Sequence, residues 1–242
     1  MKILVISDIH ANLTALEAVI KEAGKFDATW CLGDLVGYGA DLNECVELVS
    51  SLPNLLCVKG NHDLAIGDTG NLDMFNYEAS EAIRISRRII TPQTNAFLRA
   101  LPEVIVTDLV TLAHGSPGNP IWEYILDPQD ADQNFSQFTT RFAFVGHSHL
   151  PLMFLEQENG KKSQRKFPPA GMPVVLTGRA IMNPGSVGQP RDNDPRASFG
   201  LFDPDAMTWE IHRVAYDIAS VQARIIKAGL PEKHANRLSA GW

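Results

Sequence analysis

Apolar residues come in short blocks along this chain, and several blocks run directly into a polar cluster. "KILVIS" at 2–7 reads as a strand buried on both faces. "LTALEAVIKEAG" follows, with Leu13, Leu16, Val19 and Ile20 at helical spacing and a stop at Gly24. "TWCLGD" is a second strand, "LNECVELVSSL" repeats the helical pattern and halts before Pro53, and "LLCVKG" is a third strand. Three strand–helix units in succession predict a parallel sheet with right-handed crossovers and helices on its faces. Residues 72–101 are mostly helical in pattern, with Pro92 restarting a helix.

The second half changes character. "EVIV", "LVTLAHG", "FAFVGHSH", "LMFLEQ", "PVVLTG", "RAIMNPG", "SFGLFD" and "TWEIHRV" are short strands separated by turn residues, and such closely spaced strands are expected to pair antiparallel. The acidic, Gln-rich stretch 127–140 predicts a helix, as does the amphipathic tail "DIASVQARIIKAG" up to Gly229. No linker, repeat or low-complexity segment divides the chain, so one domain over 1–242 is expected. The fold class is α/β: two packed mixed β-sheets flanked by helices.

Composition narrows the function. With 242 residues, 45% hydrophobic and 20% charged, the chain suits a folded α/β protein rather than a disordered or fibrous one. Its formal charge of −7 argues against a sequence-independent nucleic-acid groove, which needs surplus Lys and Arg. The basic run "GKKSQRK" at 160–166 reads as a solvated hairpin tip. Cys31, Cys45 and Cys57 form no C-x-x-C pair and suit a reducing compartment. The apolar "ILVI" after Lys2 is too short for a secretory signal or a membrane span, so a cytoplasmic location is expected.

The chemistry lies where the apolar blocks end. "SDIH" closes the first predicted strand, "GD" at 33–34 the second and "GNHD" at 60–63 the third, while "AHG" at 113–115 and "GHSH" at 146–149 close two later ones. Open α/β sheets place their sites at the carboxyl ends of parallel strands, where loops converge. Asp8 and His10 are two apart, so a continued strand would put both on one face. His147 and His149 share that spacing, with Gly146 allowing a tight turn. Any one cluster is explained by a capping Asp or a hydrogen-bonded core His. Five of the seven histidines falling in these clusters is not what core packing produces. A carboxylate and an imidazole on one point make half a site for a divalent transition metal.

The ordered set D-x-H, G-D, G-N-H-D, H-G and G-H-x-H, running from Asp8 to His149, resembles the calcineurin-like metallophosphoesterases. The segment 181–203, beginning "IMNPGSVGQPRD", is similar to the C-terminal strand pair of small bacterial members, so the likeness spans nearly the whole chain. The resemblance implies a four-layer α-β-β-α sandwich and a phosphoesterase acting on mono- or diesters. It implies two divalent metal ions: Asp8, His10 and His149 on the first, Asn61, His114 and His147 on the second, and Asp34 bridging. Two such ions share and activate a water as hydroxide, and ligands without sulfur suit Mn, Fe, Zn or a similar ion. His62, which the family pattern leaves off the metals, is the expected catalytic residue, stabilising the transition state or protonating the leaving oxygen. Asp63 is a candidate to orient its ring.

Other residues carry two readings. Asn12 is a candidate substrate contact but equally a helix N-cap. Arg191 is a candidate phosphate contact, with a surface ion pair to Asp192 or Asp194 as the competing role. Tyr38 could line the pocket, while Trp122 and Tyr124 are candidates to contact a base or a lid, with core packing the favoured role for both. The expected partner is a small phosphate ester, with no membrane and an oligomeric state that the sequence leaves open. Two alternatives differ in kind: a catalytically weak protein-interaction scaffold on the same fold, which should have lost ligands, and a nuclease, which the acidic balance disfavours.

Overall fold

The computed structural model describes residues 1–67, 72–157 and 161–242. Strand β1 (Ile3–Ile6) is buried throughout, and its side chains divide by pleat. Leu4 and Ile6 join a cluster with Leu16 and Val19 of helix α1 (Leu13–Ala23) and with Cys45, Val46 and Val49 of α2 (Leu42–Ser50). Ile3 and Val5 join a second cluster with residues of the opposite sheet.

Among the described residues the strands form two six-stranded sheets. In the first, β1 pairs in parallel with β2 (Ala28–Cys31), and β2 in parallel with β3 (Leu55–Cys57). On its other side β1 meets β11 (Ala197–Asp203) antiparallel, followed by β12 (Thr208–Val214) and the short β9 (Val174–Val175). The second sheet runs β4 (Val104–Val106), β5 (Val110–Ala113), β6 (Phe142–Phe144), β10 (Ala180–Pro184), β7 (Pro151–Leu155) and β8 (Gln164–Lys166).

Between the sheets lies an aromatic core in which Phe142, Phe144, Phe202 and Trp209 are almost entirely buried. Each such side chain contributes about 1.5–3 kcal/mol by leaving water. Ala143, Val145, Phe154 and Ile181 face the other way, onto Ala131 and Phe135 of α6 (Pro128–Phe135). The result is helices, sheet, sheet, helices: two mixed sheets flanked by helices. Between β3 and β4 run α3 (Asn61–Gly67), α4 (Tyr77–Ile89) and α5 (Pro92–Ala100); the chain ends in α7 (Ile218–Lys227) and α8 (Glu232–Ala240).

Several expectations are corrected. The second sheet is not uniformly antiparallel: β5 pairs with β6 and β6 with β10 in parallel. The crossover through α6 supplies the length that the first of these needs. The "PVVLTG" strand crosses to the first sheet. In the basic run, Gln164–Lys166 is an edge strand paired with β7 rather than a tip, while Gly160 lies outside the described residues. Helix α8 was not foreseen, because its polar sequence buries only His234, Ala235 and Leu238. Among the described residues no helix is long and apolar enough to cross a membrane.

Candidate metal centre

The clusters at the strand ends do converge, but not by pleat. Strand β1 ends at Ile6, and Asp8, His10 and Ala11 all take left-handed backbone conformations, with φ of 53°, 49° and 52°. Asp34, His147 and His149 do the same at 54°, 64° and 60°. The expectation that an i, i+2 spacing on a strand aligns Asp8 with His10, and His147 with His149, is therefore replaced by turns in αL geometry. Such residues cost roughly 1–3 kcal/mol each and persist where surrounding structure enforces them.

That enforcement is visible. The Asp8, His10 and Ala11 amides donate to the carbonyls of Gly33 (3.0 Å), Asp34 (3.0 Å) and Leu35 (2.9 Å), zipping the loop after β1 to the loop after β2. Val187 and Gly188 donate to the Ser7 and Asp8 carbonyls from a third loop. Asp63 accepts from the amides of Asp34 (2.7 Å), Leu35 (2.9 Å), Val36 (3.3 Å) and Gly60 (3.0 Å). Its carboxylate fixes the Asp34 loop, which is a different job from orienting His62. Gly146 owes its identity to crowding: a Cβ there would collide with Ser7 Oγ and stand 3.0 Å from Asp8 Oδ2.

Into this frame project Asp8, His10, Asp34, Asn61, His62, His114, His147 and His149, all buried. Among the described residues three groups of ligand atoms gather, each within 4.8 Å: Asp8, His10 and His149; His10, Asp34 and His62; Asp34, His114 and His147. Asp34 spans them, its Oδ2 lying 3.7 Å from His10 Nε2 and 3.5 Å from His114 Nε2 while its Oδ1 accepts the His62 amide at 2.9 Å. Asn61 Oδ1 and His147 Nδ1 each lie 3.1 Å from His114 Nε2.

Proton positions test whether this set suits a cation. His10 Nδ1 faces the Val36 carbonyl at 3.1 Å, His149 Nδ1 the Gln189 carbonyl at 2.6 Å, and His114 Nδ1 the Leu32 carbonyl at 2.8 Å. A carbonyl only accepts, so each Nδ1 carries the hydrogen and each Nε2 of the neutral ring is a bare lone pair. Yet His10 Nε2 and His149 Nε2 face each other at 3.2 Å, with Asp8 Oδ1, itself without a hydrogen bond, 3.3 Å from the latter. Acceptors aimed at acceptors are what a divalent metal satisfies. Burial pushes Asp8 up to about 7 and Asp34 well above the usual carboxylate range. It holds His10, His62 and His149 well below the ordinary imidazole value and His147 down at about 2. Neutral imidazoles beside carboxylates that resist ionisation form a donor set lacking a positive charge.

The centre opens into a cavity of about 250 Å³ lined among others by Asp34, His62, Phe75, Trp122, Arg191 and Arg237. Arg191 is not paired with its acidic neighbours, since Asp192 pairs with Arg213 and Asp194 with Arg196. Instead it donates to Gln189 Oε1 at 3.1 Å and interacts with the Tyr38 and Tyr124 hydroxyls. Asn12 is occupied elsewhere: its Oδ1 caps α1 through the Ala15 amide and its Nδ2 donates to the Gly188 carbonyl. Tyr124 is not a core residue; it stacks on His147 with centroids 3.8 Å apart and is 44% exposed. Trp122 meets Phe75 edge-on in the cavity wall. His62 sits edge-on to Phe75 and His10 and against Tyr38. His234 and Arg237, given no role from sequence, approach from α8, and the only trace in the sequence is their i, i+3 spacing.

Comparison with known proteins gives the arrangement a context. The model of the calcineurin-like phosphoesterase superfamily domain matches residues 1–207. A crystal structure of a metallophosphoesterase from Sphaerobacter thermophilus superposes with a TM-score of 0.93 at 46% identity, covering 100% of this chain and 99% of that one. An uncharacterised protein of Methanocaldococcus jannaschii is 41% identical over 247 residues, 99% of this chain and 98% of that protein. A hypothetical protein from Pyrococcus horikoshii shares the fold, with a TM-score of 0.80 at 20% identity, 100% of this chain and 98% of that one being covered.

Proposed function

The chain belongs to the calcineurin-like phosphoesterase superfamily, and on that premise we propose that it hydrolyses small phosphate esters at a centre of two divalent metal ions. The single observation that carries this reading is the pair of bare Nε2 atoms of His10 and His149, 3.2 Å apart beside Asp8 Oδ1. Asp8, His10 and His149 would hold one ion, Asn61, His114 and His147 the other, and Asp34 would touch both. When bound, such ions supply Lewis acidity and an acidified water.

The chain's own residues then divide the work. Arg191 neutralises charge on the phosphoryl oxygens, to which a guanidinium is matched in shape. His62, kept neutral by burial, is set to steady the charge on the leaving oxygen through a hydrogen bond from its ring N–H. Asp63 fixes the Asp34 loop by three backbone bonds and takes a fourth from Gly60, and Tyr38 and Phe75 pack against the His62 ring. A cavity of this volume and a net charge of −7 favour a small ester over a nucleic acid. Three buried free cysteines are in keeping with a cytoplasmic location, and Arg237 lining the cavity from beyond residue 207 favours one domain over 1–242.

The test is phosphate ester hydrolysis by metal-stripped protein reloaded with Mn²⁺, Fe²⁺ or Zn²⁺, assayed on p-nitrophenyl phosphate and bis-p-nitrophenyl phosphate. Turnover that needs metal and vanishes in Asp34→Asn is expected. Equal turnover by that variant would refute the assignment.

A further inference from the structure

The family match ends at residue 207, yet the wall of the cavity does not. Arg237 reaches it from α8, and its guanidinium has no carboxylate within salt-bridge distance among the described residues. Glu78, the α4 acid whose charge acts on Arg237, is taken by Lys233 at 2.9 Å. Nε of Arg237 is buried without a hydrogen-bond partner, and so is Nε of Arg191. Two cations thus share the lining of one small cavity and repel each other: burial and the Arg191 charge both pull the Arg237 pKa down. The contact of Arg237 with the Trp242 ring, 5.6 Å to the centroid, orients the guanidinium without discharging it.

The two arginines stand at different depths. Arg191 is close enough to the centre to act on Asp8, Asp34, His10 and His149. Arg237 is separated from it by Tyr38, whose ring lies 4.6 Å from His10, 4.4 Å from His62 and 4.6 Å from His234, three residues before Arg237 on α8. From this geometry we propose that Arg237 forms a second anion subsite, and that the substrate is a small phosphomonoester carrying a second phosphate. The proposal rests on the phosphoesterase reading above for the first phosphate. It adds that the C-terminal helix, rather than the strand-end loops, selects the substrate.

Matched pairs of ligands test it: adenosine 5′-monophosphate against adenosine 3′,5′-bisphosphate, and glucose 6-phosphate against glucose 1,6-bisphosphate. In metal-loaded wild type, kcat/KM for at least one bisphosphate should exceed that of its partner by about tenfold or more, chiefly through KM. Arg237→Ala should bring that ratio near one, and Arg237→Lys should restore part of it. The same pairs titrated calorimetrically into chelator-stripped wild type should show the second phosphate tightening Kd by about tenfold or more, a gain lost in Arg237→Ala. Ratios near one for both pairs in wild type, or a ratio that survives Arg237→Ala, would overturn the subsite. If no ester is hydrolysed after metal loading, the phosphoesterase reading fails, and the calorimetric ratio still decides the subsite.

Discussion

His10 Nε2 and His149 Nε2 stand 3.2 Å apart with no hydrogen to share, because both rings spend theirs on the backbone carbonyls of Val36 and Gln189. Asp8 Oδ1 adds a third acceptor 3.3 Å from His149 Nε2. An amide in place of that carboxylate would offer an N–H where a lone pair waits. Asp8→Asn should therefore make the metal-free protein more stable at pH 8, by about 1–3 kcal/mol, while abolishing the rise in Tm that Mn²⁺ or Zn²⁺ gives to wild type. Thermal melts of both proteins with and without metal check this. A metal-free variant less stable than wild type would contradict the lone-pair account.

His62 has a ligand atom within 4.8 Å of those of His10 and Asp34 but is assigned to stabilising the leaving oxygen. His62→Ala should lower kcat by about 10²–10³-fold. Its metal content, measured by elemental analysis after dialysis, should equal that of wild type. A loss of metal would instead make His62 a ligand.

Asp63 accepts four backbone N–H groups and touches no substrate surface in the cavity lining. Asp63→Asn turns one acceptor atom into a donor facing donors. Urea denaturation should show a loss of about 3 kcal/mol or more. Activity should fall with it, because the Asp34 loop is released.

Gly146→Ala would drive a methyl group into Ser7 and against Asp8. Soluble yield and metal affinity should both drop sharply, and a circular dichroism melt of the purified fraction should show a reduced Tm. A variant with wild-type melting and metal affinity would mean that the two loops are looser than their contacts indicate.

His234 supplies a pH dependence away from the metals. Its Nε2 faces the Glu78 carbonyl at 3.2 Å and so is the donor, while Nδ1 is buried without a partner. Burial, first of all, and the charge of Arg237 hold its pKa below the ordinary 6.5. The unfolded chain therefore binds one more proton than the folded one once pH falls below about 6.5. That stability is present above this value and is lost as pH falls toward the folded pKa, at up to about 1.4 kcal/mol per pH unit. His234→Gln keeps a donor for Glu78 and should flatten the decline of unfolding free energy between pH 6.5 and 5. An unchanged slope would place the proton elsewhere.

Sequence carried the first sheet and the ligand clusters because both are written in local pattern: buried strands, then acids and histidines at strand ends. It missed how the ligands converge, since αL conformations at Asp8, His10, His147 and His149 depend on backbone bonds to distant loops. It misjudged pairing in the second sheet, where the parallel β5, β6 and β10 are separated in sequence by a helix and by β7, β8 and β9. For Tyr124 the sequence favoured core packing over a site contact, and only the fold lays it on His147. Helix α8 and Arg237 were hidden for a related reason: a polar nine-residue helix has no hydrophobic face long enough to announce itself, and its role comes only from the cavity it closes.

The most direct measurement is the metal stoichiometry of the full chain, by elemental analysis after equilibrium dialysis against Mn²⁺ or Zn²⁺. Wild type should retain about two ions, and His149→Ala and His114→Ala should each lose one, because the two histidines serve different ions on either side of Asp34. Retention of no ion, or a stoichiometry that neither substitution changes, would contradict the account.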